Sequence, residues 1–107
     1  MNYEAKLCTG RVVKVRELTG KEEQLVFRAV GQIEQNAADM KRVVNEMVKM
    51  MLVEVDGKPV NYQELQEKDL SDIFRVKEMR QLEELYQELH APTEAENKDF
   101  LKTIRPL

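Results

Sequence analysis

Tryptophan is absent from this chain, and cysteine and histidine occur once each, as Cys8 and His90. One thiol cannot close an internal disulfide. With only Lys6 and Arg11 as basic neighbours, Cys8 also has no evident trigger for thiolate formation and reads as a strand residue. One imidazole supplies no second histidine for a metal pair. His90 falls at a predicted helix end, where the ring is expected to satisfy terminal carbonyls rather than act as a base. The four glycines stand singly, so there is no glycine-rich phosphate loop, and neither a CxxC pair nor a nucleophile elbow is present. Acidic pairs such as Glu22-Glu23 and Glu83-Glu84 fall on predicted solvent faces. No enzymatic activity, cofactor or metal is expected.

Long apolar runs are missing too. No stretch is suited to crossing a bilayer, and the opening MNYEAKLCTG lacks the apolar core of a signal peptide, so the cytoplasm is the expected location and no membrane partner is expected. Charge of one sign is not concentrated. Residues 1–53 carry nine basic and seven acidic side chains, and residues 54–107 carry eight and thirteen. Nucleic acid is therefore not an expected partner, since counterion release needs a basic patch.

What is present fits one small domain. At 107 residues with 42% hydrophobic and 35% charged side chains, the chain can bury one core. Tyr3, Ala5 and Leu7 alternate with polar residues, and Val12, Val13 and Val15 follow Thr9-Gly10, predicting an N-terminal hairpin. The preferred register pairs Leu7 with Val13 and Ala5 with Val15, which aligns the apolar sets. Thr19 and Glu22 form a capping box for a first helix with an apolar stripe of Leu25, Val26, Ala29, Val30 and Ile33, in which Gly31 is tolerated. Asn36 and Asp39 mark a restart, and a second helix is expected from about Ala37 to Met51. Its stripe of Met40, Val43, Val44, Met47, Val48 and Met51 either fills a core or offers an adaptable methionine surface.

Leu52, Val53 and Val55 then read as a strand, Asp56-Gly57 as a two-residue turn, and Lys58-Pro59-Val60 as a short return strand suited to a sheet edge. Asn61 with Glu64 caps a short turn, and Asp69 precedes a long helical stretch running to about Leu89. The stripe of that stretch is rotated part-way along. Ile73 and Val76 lie on one side, and Met79, Leu82, Tyr86 and Leu89 form a second set. Either the helix crosses the core with a wide apolar face or its distal half docks on a partner. His90-Ala91-Pro92 stops it. Thr93 with Glu96 opens a short final helix that places Phe100, Leu101 and Ile104 on one face, ending at Arg105-Pro106. The expected architecture is α+β: an N-terminal β-hairpin, a helix pair, a second short β-hairpin, a long C-terminal helix and a short terminal helix. Residues 1–91 would form the domain, and residues 92–107 a helical cap or arm.

The run VVKVRELTGKEEQLVFRAVG, followed by a helix and strand and then DGKPVNYQELQEKDLSDIF, resembles the small tail assembly proteins of bacteriophages. The matching positions are Val12 to Glu23, then Asp56, Gly57, Pro59, Val60, Leu65, Asp69 and Leu70, within residues 11–90. The resemblance implies a non-enzymatic tail assembly chaperone in the host bacterial cytoplasm, binding the tape measure protein and tail tube subunits and often self-associating. The short ending after Pro92 departs from many such proteins and leaves open a structural minor tail or baseplate component that self-associates and stays in the particle. Under the chaperone reading a helix-in-groove contact would use Met79, Leu82, Tyr86, Leu89, Phe100, Leu101 and Ile104.

Overall fold

A computed structural model of the chain describes residues 2–31 and 37–106. Strands β1 (Asn2–Lys6) and β2 (Val12–Arg16) lead to helices α1 (Gly20–Val30) and α2 (Ala37–Met51). Strands β3 (Leu52–Val55) and β4 (Lys58–Pro59) follow, then α3 (Tyr62–Gln66), a 3-10 turn over Leu70–Asp72, α4 (Val76–His90) and α5 (Glu94–Lys102). The four strands form one antiparallel sheet in the order β1-β2-β3-β4. The class is α+β, as expected.

One face of the sheet carries the main core. Leu7, just past β1, and Val13, Val15 and Leu52 from the strands meet Val48 and Met51 of α2, Leu65, Leu70 and Phe74 from the following segment, and Leu82 of α4. A second cluster of Val26, Val43, Met47 and Met50 fills the seam between α1 and α2. The methionines of the α2 stripe are therefore core fillers, apart from the exposed Met40. Their flexible thioethers suit a seam between two amphipathic helices.

The first hairpin forms, but its register differs from the expected one. Tyr3 pairs with Val15 and Ala5 with Val13, so Leu7 sits opposite Arg11, whose carbonyl accepts from its N–H at 2.7 Å. Gly10, at φ +89°, completes a three-residue Cys8-Thr9-Gly10 loop. That loop is a favoured hairpin connection whose last residue needs a left-handed backbone, which decides the register. The shift of two residues preserves the faces. Cys8 consequently lies in the exposed loop and not in a strand. The second hairpin is as expected: Asp56 (φ 51°) and Gly57 (φ 82°) make the left-handed pair of a type I′ turn, and Pro59 lies on the edge strand.

Thr19 and Glu22 close the predicted box on α1, but the helix ends at Val30. Gly31 terminates it with φ +84° and donates to the Phe27 carbonyl. Of the described residues of the predicted α1 stripe only Val26 is fully buried, while Leu25 and Ala29 are exposed. Ile33 and Asn36 lie outside the described residues. Helix α2 has the expected bounds. The long stretch after Asp69 is not one helix. Asp69 caps the 3-10 turn, Phe74 turns inward and is buried, and Arg75 is extended. Helix α4 starts afresh at Val76 because the Glu78 carboxylate folds back onto the Arg75 N–H at 2.8 Å.

Candidate functional site

The structure divides the seven candidate contact residues into two groups. Leu82 is 0% exposed, at the centre of the main core. It is no surface residue, so a contact role on an outer face of α4 is corrected. Met79, Tyr86 and Leu89 are partly buried against the same core. Tyr86 also touches the α1/α2 cluster, and burial, with Glu23 nearby, pushes its phenol up. The rotated stripe of α4 therefore meets the sheet and α2 within the chain. The break at Phe74-Arg75 is what separates it from Ile73.

Phe100, Leu101 and Ile104 are different. They are 64%, 59% and 65% exposed, and every residue from Ala91 to Pro106 is exposed. Helix α5 is organised from within. Thr93 accepts from the Glu96 N–H at 3.1 Å, and the Glu96 carboxylate accepts from the Thr93 N–H at 3.0 Å. The Thr93 backbone N–H, and after it the Thr93 side chain, hold the Glu96 carboxyl below its usual range. At the far end the Thr103 hydroxyl donates to the Phe100 carbonyl at 2.6 Å. The Cα radius of gyration, 15.6 Å, exceeds the roughly 13 Å of a compact chain this long, in keeping with an arm that stands off the domain.

The single imidazole and the single thiol are held at different points along α4. His90 Nε2 accepts from the Leu18 N–H at 2.8 Å, so Nδ1 carries the proton that goes to the Tyr86 carbonyl at 2.7 Å. The imidazole pins the end of α4 to the segment before α1, and its second bond goes to the carbonyl four residues back rather than to one of the unpaired carbonyls expected at the helix end. Cys8 is anchored through its N–H to Gln81 Oε1 at 2.8 Å. That is nine residues from His90 along α4, or about 13 Å.

Glu78 is 1% exposed. Its Oε2 accepts from the Thr9 hydroxyl at 2.7 Å and its Oε1 lies 3.6 Å from the Arg11 guanidinium. Burial pushes its carboxyl up, but the Arg75 N–H, the Thr9 hydroxyl and Arg11 together outweigh that and hold it below the usual range. Arg11 in turn donates to Asp56 at 2.9 Å and to the Ile73 carbonyl at 2.7 Å, with its guanidinium 4.8 Å above the Phe74 ring. This hub joins both hairpins to the start of α4. Sequence reasoning missed it; the signal was an acid at the third position of a helix whose start was itself misplaced.

A cleft of about 550 Å³ between α1, α2 and α3 is lined by Arg42, Asn45, Glu46, Lys49, Lys68 and Asp69, a mixture of signs. Lys49 and Glu46 pair at 2.9 Å, and the Tyr62 hydroxyl donates to Glu46 at 3.0 Å. Burial and then Glu46 push that phenol up to about 12. Among the described residues no three histidine, cysteine or acidic side chains are placed to hold a metal ion. No helix among them is long and apolar enough to cross a membrane. Compared with family models, with curated proteins and with solved structures, the chain matches none of them.

Proposed function

We propose that this chain is a non-enzymatic bacteriophage tail assembly chaperone that binds the tape measure protein, and tail tube subunits, through its C-terminal arm in the host cytoplasm. The observation that carries the reading is the C-terminal arm, where nine-residue α5 exposes Phe100 and Leu101 and Ile104 is exposed just beyond the Thr103 cap. A helix below about 12–15 residues is marginal in water on its own, so its apolar face is suited to being completed by a second amphipathic helix. Tape measure proteins present such helices over long distances, and a helix-to-helix contact through Phe100, Leu101 and Ile104 would cover them. The resemblance of Val12 to Glu23 and Asp56 to Leu70 to small tail assembly proteins supports the same reading.

The test is co-expression with the tape measure protein of the same phage, followed by affinity capture. The Phe100→Asp/Ile104→Asp variant should lose capture while its melting temperature stays that of the parent chain. Capture indifferent to the double substitution, or no tape measure segment retained by the parent chain, overturns the proposal.

A further inference from the structure

The two edges of the sheet are built differently. Strand β4 is two residues long and contains Pro59, a combination that blunts an edge against pairing. Strand β1 is five residues long, contains no proline, and pairs with β2 without a bulge; the register shift in the sheet lies between β2 and β3.

The phase of the β1–β2 ladder follows from two bonds. Leu7 donates to the Arg11 carbonyl at 2.7 Å, so Leu7 and Arg11 form a hydrogen-bonded pair, and so by steps of two do Ala5:Val13 and Tyr3:Val15. Independently, the Val12 carbonyl accepts from the Asp56 N–H at 2.8 Å. Val12 thus faces β3, and its partner Lys6 faces away from β2. The backbone N–H and C=O groups of Asn2, Glu4 and Lys6 therefore point out from the open edge. All three residues are exposed.

The side chains on the polar face of the sheet run in an ordered row. Glu54 of β3 is opposite Lys14 of β2, with 3.1 Å between their charged groups, and Lys14 is opposite Glu4 of β1. The row alternates negative, positive, negative and stops at Glu4 on the open edge. A strand added there continues the alternation when it sets a cation against Glu4.

We propose that the occupant is a second copy of this chain, with the two β1 strands antiparallel about a two-fold axis at Ala5. In this register Glu4 is opposite Lys6 of the second copy and Lys6 is opposite its Glu4. The outward N–H and C=O groups of all four residues exchange hydrogen bonds, and the two-fold puts two ion pairs side by side. The pairs at Glu4 and Lys6 are the hydrogen-bonded ones, so Ala5 meets its own copy as a close non-hydrogen-bonded pair, where a small side chain fits. Tyr3 falls opposite Leu7 of the second copy, which continues the apolar face across the axis. The alternative centred on Glu4 would oppose Glu4 to Glu4, and like charges directly opposite are destabilising. A contact between two short strands buries less than a standard interface of ~1,600 Å², so dissociation constants on the order of 0.1 mM are expected. This inference holds whichever partner the arm takes.

The experiment is sedimentation equilibrium of the purified chain from about 10 µM to about 1 mM, with amide hydrogen exchange at both ends of the range. The parent chain should become dimeric with concentration, and the Glu4 and Lys6 amides should gain protection, whereas Ala5 is protected throughout. Glu4→Lys and Lys6→Glu should each weaken the dimer about tenfold, and the Glu4→Lys/Lys6→Glu double variant should restore it. Glu4→Lys also places a lysine opposite Lys14 within the chain; the double variant keeps that neighbour, so restoration reports on the contact between copies. A monomer at every concentration overturns the proposal. So does an oligomer indifferent to both single substitutions, or one the double variant fails to restore.

Discussion

Glu78→Ala should be among the most damaging substitutions outside the apolar core. The carboxylate is nearly inaccessible and has three partners: the Arg75 N–H at 2.8 Å, the Thr9 hydroxyl at 2.7 Å and the Arg11 guanidinium at 3.6 Å. Loss of the cap contact at the start of α4 costs about 1 kcal/mol. Loss of the charged acceptor for Thr9 costs about 1.5 kcal/mol. The space left by the side chain and the weakened hold on Arg11 add roughly another 1 kcal/mol; the Arg11 contribution is small because Asp56 and the Ile73 carbonyl still hold it. The expected total is about 3–4 kcal/mol. Glu78→Gln keeps the volume and can still accept from Arg75 and donate to the Thr9 oxygen, so about 1–2 kcal/mol is expected.

Urea unfolding at pH 7 is the assay. With a slope of about 1.5 kcal/mol per molar, Glu78→Ala should lower the midpoint by about 2 M. The pH dependence gives a second arm. The carboxyl is held below its usual range in the folded chain, so its contribution is complete above the unfolded value of about 4.3 and is lost as pH falls through the lower folded value. Glutamine does not titrate there. The gap between the parent chain and Glu78→Gln should therefore be widest near neutrality and shrink below about pH 4. A gap equally wide at pH 7 and pH 3, or none at pH 7, would refute the reasoning about the hub.

Leu82→Ala should cost about 3–4 kcal/mol by thermal or urea unfolding, because the side chain is completely buried, whereas Phe100→Ala should stay within about 0.5 kcal/mol; equal effects would mean that α5 packs on the domain. The Arg16–Glu22 pair, at 2.6 Å, holds the Glu22 carboxyl at about 2, with the bonds from Thr19 helping. The folded value is depressed, so its stabilisation is present above about pH 4.3 and disappears between there and about pH 2. Both side chains are partly exposed, so Arg16→Gln should cost about 1 kcal/mol at pH 7 and almost nothing in melts at pH 2. An undiminished difference at pH 2 would assign the effect to packing of the Arg16 stem.

The features legible in the sequence were those fixed by short-range chemistry. Asp56-Gly57 needs two left-handed residues, Thr19, Asn61 and Thr93 each place an oxygen where an orphan N–H waits, and the period of α2 is unbroken from end to end. The misreadings share a different origin. A hairpin slipped by two residues keeps Tyr3, Ala5 and Leu7 on the same face, so hydrophobic alternation cannot tell the registers apart, and only the loop chemistry of Gly10 could. At Gly31 the apolar period runs on past the point where backbone geometry ends the helix. At Phe74 a buried aromatic draws the chain inward for tertiary reasons that no local propensity encodes. The stripe of α4 showed that Leu82 is covered but not by what, since a core and a partner demand the same side chains.

That last ambiguity bears on where function can sit. Helix α4 keeps Met79, Leu82, Leu85, Tyr86 and Leu89 against the core and exposes only Val76 of its large apolar residues, so the surfaces proposed for other molecules lie elsewhere, on α5 and along β1. They meet at one end of the domain, where Thr93 and Glu96 border the same cleft as Tyr3 and Glu17. Pro92 stands between α4 and α5 and donates no backbone hydrogen bond, so α4 stops at His90 and the arm takes its direction from the Thr93 cap rather than from packing. Among the described residues every buried one precedes that junction, from Leu7 to Leu82. A molecule seated on the arm therefore has no core side chain to displace, and the outward groups of Glu4 and Lys6 belong to no core contact either. Phe100, Ile104, Glu4 and Lys6 are exposed and belong to neither core cluster, which is why substitutions at them can test the proposed associations without passing through stability.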